Sequence, residues 1–161
     1  ADPVAVERLA AFWRLLGANV ETMSAEHHDL VLGITSHLPH LIAYTIVGTA
    51  DEFSQVTRSE VLQFSAGGFR DFTRIASSDP TMWRDVFLAN KDAVLEMLGR
   101  FNEDLSALTR AMRSGDGQAL FDHFERTRAI RKGIVEIGQD SPAPDFGRPH
   151  PHLTEDPKKK T

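Results

Sequence analysis

Apolar residues recur along this chain at steps of three and four almost throughout, the period of helices that bury one face. Asp2-Pro3 opens the first such run: a capping carboxylate, then a proline whose missing N–H costs nothing in the first turn. Leu9, Phe12, Trp13, Leu16 and Val20 follow at helical spacing, with Gly17 as the expected stop. Ser24 caps the second run and Glu26 sits favourably in its first turn. The pattern predicts a helix to about Thr49, apolar nearly all round and therefore central in the packing.

Between Ala50 and Ser78 the pattern is mixed, with a Gly67-Gly68 pair, a short helical stretch and a second Asp-Pro start at Asp79-Pro80. From Pro80 the stripe Trp83, Val86, Phe87, Asn90, Val94, Leu98, Phe101, Leu105, Leu108 and Met112 runs unbroken to Ser114-Gly115. It predicts one long helix, whose near-heptad spacing suits pairing with another long helix, including one from a second subunit. Asp116 opens a last helix with Leu120, Phe121, Phe124, Ile130, Ile134 and Ile137 as its stripe, ending at Gly138. No segment alternates as a strand does, so the expected fold is all-α, a single domain over residues 1–138. Residues 139–161 hold five of the eight prolines and a lysine run, the composition of a flexible tail. His150 and His152 in that tail read as incidental.

A formal net charge of −5 offers no electrostatic footprint for nucleic acid. The absence of cysteine removes disulfides and thiolate metal sites. The chain begins without methionine and without a secretory leader, so a processed chain or a piece of a longer one is expected. Residues 30–47 are almost long enough to span a bilayer, yet they hold Thr35, Ser36, His37, Pro39, His40 and Thr45. A buried helix is the expectation there, rather than a membrane helix.

The stretch "TSHLPH" within that run carries the first candidate chemistry. Pro39 removes a helical hydrogen bond and pushes against the carbonyl of Thr35, so a kink is expected that opens space around Ser36, His37 and His40. Polar groups buried there need partners in the protein or in a ligand. A zinc site is the weaker option: HxxH occurs in metal sites, but thiolates are absent and no glutamate is placed as in HExxH. The second candidate is "GGFRDFTRIASSDPTMW", where Arg70 and Arg74 share a face with Asp71 between them, beside a glycine pair. A guanidinium fork there suits a carboxylate, though an ordinary surface cluster of charges fits the spacing equally well. His27, His28 and Asp29 read as local bonding at a helix start, and His123 as a boundary residue.

Taken together, "EHHDLVLGITSHLPHLIAYTIV" and "GGFRDFTRIASSDPTMWRDVFLANKDAVLEMLGRF" strongly resemble the C-terminal helical domain of prephenate/arogenate dehydrogenases, the cyclohexadienyl dehydrogenases of tyrosine biosynthesis. The resemblance runs from about Trp13 through Arg131. It implies a helical bundle built on a kinked central helix and a long helix, an intertwined dimerisation domain of the 6-phosphogluconate-dehydrogenase C-terminal type. It also implies a cytoplasmic two-domain homodimer whose Rossmann domain binds NAD or NADP and supplies a catalytic histidine as base. Prephenate would give 4-hydroxyphenylpyruvate, or arogenate tyrosine, by hydride transfer and loss of CO₂. No Gly-x-Gly-x-x-Gly follows a strand in this chain, so the dinucleotide site and the base are expected elsewhere, and the chain alone should not turn over.

Carried onto this chain, the family pattern makes Arg74 the partner of a substrate carboxylate, with Ser36, His37 and His40 lining the pocket and His40 meeting the ring end of the substrate. Asp71 would orient the arginine or form part of a gate, and Gly67 and Trp83 would shape the entrance. Two other readings are carried. One is a non-catalytic module for dimerisation and for tyrosine as feedback effector. The other is a helical metal-binding protein using His27, His28, His37 and His40.

Overall fold

The computed structural model of this chain describes residues 2–52 and 67–136, with Glu60 and Phe64 between them. Helix α1 spans Pro3–Leu15 and starts as its sequence demands, with the Asp2 carboxylate accepting from the Val4 N–H at 3.0 Å. It ends on Gly17 at φ +86°, where the Gly17 and Ala18 N–H groups donate to the Arg14 and Trp13 carbonyls. That paired bonding satisfies carbonyls the helix end would leave open, and its positive φ requires glycine. Helix α2, Ala25–Leu32, begins on the Ser24 hydroxyl, which accepts from the His27 N–H at 3.2 Å.

Helix α2 does not break at the proline ahead of it. One π-helical turn, Gly33–His37, joins it to α3, Leu38–Glu52, so that residues 25–52 form a continuous helical run. The expected kink is thus realised as an inserted residue: the Leu38 N–H donates to the carbonyl of Gly33 instead of that of Ile34. Widening the turn in this way lets the chain absorb Pro39 without ending the helix.

Helix α4, Gly67–Thr73, and a 3-10 turn, Arg74–Ser77, pack against α3. The Tyr44 hydroxyl pins that turn by donating to the Ser78 carbonyl at 2.7 Å. The Asp79 carboxylate then caps α5, Pro80–Ala89, by accepting from the Met82 N–H at 2.8 Å. The single long helix expected from Pro80 onward is two: α5 stops at Asn90 and α6, Lys91–Ser114, follows. Periodicity could not show this break, because Asn90 keeps its place in the stripe. Its backbone still accepts from the Val94 N–H and donates to the Val86 carbonyl, at φ −105° and ψ 34°.

The chain divides into two units, residues 1–102 and 103–161, and the division falls inside α6. In the second unit α6 ends on Gly115 at φ +69°, with the same paired carbonyl bonding that closes α1. Helix α7, Gly117–Glu136, starts on the Asp116 carboxylate, which accepts from the Ala119 N–H at 2.9 Å. The expected turn at Ser114-Gly115 and start at Asp116 are therefore found. Ile137, Gly138 and the predicted 139–161 tail, with His150 and His152, lie outside the described residues.

Among the described residues, the buried apolar side chains are Ala10, Leu38, Ala43, Trp83 and Val94. Phe12 and Trp13 of α1, Ile46 and Val47 of α3, and Phe121, Phe124 and Ile130 of α7 are exposed. The helical run 25–52 is long and apolar enough to cross a membrane by length and composition, and only 22% of its most apolar window is buried within the chain. It is central in sequence pattern but not enclosed by its own chain. Stripes this apolar and this open are what a helix presents when a second surface completes its packing.

Candidate functional site

The π turn and the start of α3 bring His37 and His40 against α5. Trp83, 7% exposed, stacks on His40 with ring centroids 3.7 Å apart and planes 25° from parallel. The same indole meets His37 edge-on at 6.1 Å and leans on Phe87 at 5.5 Å. The indole thus lies against both imidazoles, face-on to His40 and edge-on to His37. Its Nε1–H is buried and has no hydrogen-bond partner among the described residues, a donor left open at a cost that a bound acceptor would relieve.

Each imidazole is held by its Nδ1. His40 Nδ1 lies 2.9 Å from the Ser36 carbonyl, one turn back. His37 Nδ1 lies 3.1 Å from Asn90 Nδ2, and that same amide nitrogen donates to the Asp29 carbonyl at 2.8 Å. Asn90 therefore ties the last turn of α5 to α2 and to the π turn. Gly33 packs beside this joint, where a Cβ would lie 3.6 Å from the Ala93 Cβ. Sequence reasoning placed Asn90 in an apolar stripe and missed this role; an amide amid Phe87 and Val94 was the available signal.

Burial depresses the pKa of His37, and His28 and His40 push the same way, while Asp29 opposes them. A base with a lowered folded pKa refuses a proton that the unfolded chain accepts below about pH 6.5. Stability attributable to His37 should thus fall as the pH drops through about 6.5 and level off below its folded pKa. Thermal unfolding followed between about pH 7.5 and about pH 5.5 should show a steeper loss for the wild type than for His37→Gln; equal slopes would reject this.

The structure brings Ser36, His37, His40 and Trp83 together. Arg74, Asp71 and Gly67 stand on the adjoining α4 and 3-10 turn, which Tyr44 holds against α3. Arg74 opens that turn and is exposed. Asp71 is exposed with its carboxylate 4.0 Å from Arg70 Nε, and a Cβ on Gly67 would sit 3.7 Å from Asp71 Oδ2. His28 Nδ1 meets Asp29 Oδ1 at 3.1 Å, the local bonding expected at that helix start. His123 is half-buried, edge-on to Phe124.

Asp29 and Asn90 also line a cavity of about 520 Å³ together with Glu26, Lys91, Asp92 and Glu96. Among the described residues no three histidine, aspartate or glutamate side chains gather closely enough to hold a metal. Nor do these residues fit a dinucleotide: no strand leads into a glycine-rich helix start, which is what a pyrophosphate requires.

Comparison with known proteins identifies the family of the chain. The family described as prephenate dehydrogenase, dimerization domain, matches residues 24–126. Cyclohexadienyl dehydrogenase of Zymomonas mobilis is 42% identical over 130 residues, covering 81% of this chain and 44% of that protein. Prephenate dehydrogenase of Bacillus subtilis is 37% identical over 133 residues, covering 83% of this chain and 36% of that protein. The crystal structure of prephenate dehydrogenase from A. aeolicus in complex with hydroxyphenyl propionate and NAD+ superposes with a TM-score of 0.76 at 36% identity. It covers 83% of this chain and 46% of that one. The chain spans less than half the length of these relatives.

Proposed function

This chain belongs to the prephenate dehydrogenase family through its dimerization domain, and from that premise we propose that it supplies the dimer interface and one wall of the substrate pocket of an NAD- or NADP-dependent prephenate or arogenate dehydrogenase. The reaction is the oxidative decarboxylation of prephenate to 4-hydroxyphenylpyruvate, or of arogenate to tyrosine, in cytoplasmic tyrosine biosynthesis. The observation that carries the reading is the His37–His40–Trp83 cluster where the helical run 25–52 meets α5, buried and half-buried rings with open hydrogen-bonding atoms rather than a packed apolar crossing.

The work of these residues is binding and orientation. The flat Trp83–His40 stack suits a ring-bearing substrate, and the Arg74 fork suits its carboxylate. Asp71 and Gly67 shape the approach to that arginine, and Ser36 completes the wall. The nicotinamide cofactor and the histidine base belong to a dinucleotide-binding domain that these residues do not form. Tyrosine, which shares the ring and the carboxylate, is the feedback ligand expected at the same wall. The open faces of α1, α3 and α7 support assembly with a second copy.

A polypeptide joining a dinucleotide-binding domain to this chain should reduce NAD or NADP with prephenate or arogenate, as read by nicotinamide absorbance. The chain alone should not. Reduction by the chain alone, or by neither, rejects the reading.

A further inference from the structure

His37 and His40 are three residues apart on one helical run, yet their surroundings ask opposite things of them. The Asp29 carbonyl can only accept, so the Asn90 side-chain atom 2.8 Å from it must be the amide nitrogen. The second hydrogen of that nitrogen faces His37 Nδ1 at 3.1 Å, so Nδ1 must be the accepting, unprotonated ring atom. The proton of a neutral His37 then sits on Nε2. For His40 the partner is a backbone carbonyl, 2.9 Å from Nδ1, and a carbonyl accepts only from a protonated nitrogen. A neutral His40 therefore carries its proton on Nδ1 and leaves Nε2 bare. No further hydrogen bond engages either Nε2 among the described residues.

We infer that Asn90 and the Ser36 carbonyl lock His37 and His40 in opposite tautomers, so that the pocket wall offers one imidazole N–H donor and one bare imidazole acceptor. Asn90 is thus a positioning residue: its amide hydrogens are committed to the Asp29 carbonyl and His37 Nδ1, and it sets which ring atom of His37 is left for a ligand. The pair matches a ligand that brings both an acceptor oxygen and a donor hydrogen, as a hydroxy acid or an amino acid does. A bare carboxylate satisfies His37 and leaves His40 unmatched. The ligand class rests on the proposed function; the tautomers rest on the hydrogen bonds alone.

Histidine-labelled nitrogen and carbon NMR of the full chain reads the tautomers directly, with His37 and His40 assigned from His37→Gln and His40→Gln. Near neutral pH, His37 is expected protonated on Nε2 and His40 on Nδ1. Asn90→Asp sets an accepting carboxylate against His37 Nδ1, so the proton should move to Nδ1 or the ring should charge. Its titration then shifts to higher pH while His40 keeps its tautomer. The charged and titratable neighbours acting on His37 in this titration are Asp29 and His28 from α2 and His40 from α3. A wild-type His37 protonated on Nδ1, two rings of the same tautomer, or a folded Asn90→Asp variant with His37 unchanged would overturn the inference. Should that variant fail to fold, the wild-type spectrum decides alone. A tautomer pair found as stated in a polypeptide that turns over neither substrate would reject the proposed function and leave the tautomers standing.

Discussion

Replacing Trp83 by alanine should cost the chain about 3–5 kcal/mol of folding stability, the range for deleting a large buried aromatic side chain. The indole is buried and touches His37, His40 and Phe87 at once, so no single neighbour can collapse into the space it leaves. At the length of this chain, each kcal/mol lowers Tm by roughly 2–4 °C, so the transition should move by about 6–20 °C. Chemical denaturation compared with Trp83→Phe tells packing from chemistry. The phenyl ring should restore much of the stability but cannot supply an N–H, leaving any bound acceptor unpaired. A Trp83→Ala chain that unfolds with the wild type would mean that the stack on His40 is not part of the core.

Arg74→Ala, tested in a polypeptide that joins this chain to a dinucleotide-binding domain as the proposed function requires, should raise KM by roughly 10- to 150-fold, the equivalent of about 1.5–3 kcal/mol for a charge-assisted pair. The change should fall mainly on KM, because a carboxylate remote from the reacting carbon is held alike in ground and transition states. Arg74→Lys should recover only part of the loss, since an ammonium lacks the planar fork. Arg74 stands exposed at the start of the 3-10 turn, and the Tm of each variant, measured beside KM, shows that the fold is intact. An unaltered KM would reject its assignment, whatever the stability.

Much of the fold is legible without the tertiary structure. The starts at Asp2-Pro3, Ser24, Asp79-Pro80 and Asp116 and the stops at Gly17 and Gly115 are all found where the residues place them. Each is a local matter of a carboxylate or hydroxyl reaching an N–H two or three residues on, or of glycine accepting a positive φ. The family resemblance likewise rests on contiguous motifs and is upheld by the match over residues 24–126.

What the residues could not show depends on partners distant in the chain. Pro39 predicts a disturbed helix, but whether the disturbance is a kink or a π turn depends on how the whole run 25–52 packs. Asn90 fits the spacing of a stripe perfectly well. Only the fold, by setting it against His37, 53 residues away, and Asp29, 61 residues away, turns it into a joint between helices. The contacts of Trp83 with His37 and His40 likewise join positions more than 40 residues apart.

The sequence by itself determined the capped helix starts and glycine stops, which faces are apolar and which family the motifs belong to, because capping, periodicity and proline sterics act within a few residues. The tertiary structure alone decided that Asn90 engages His37 Nδ1, and that Trp83 lies against both rings. Those contacts join the run 25–52 to residues 83 and 90, more than 40 positions further along the chain, and no local rule measures that distance.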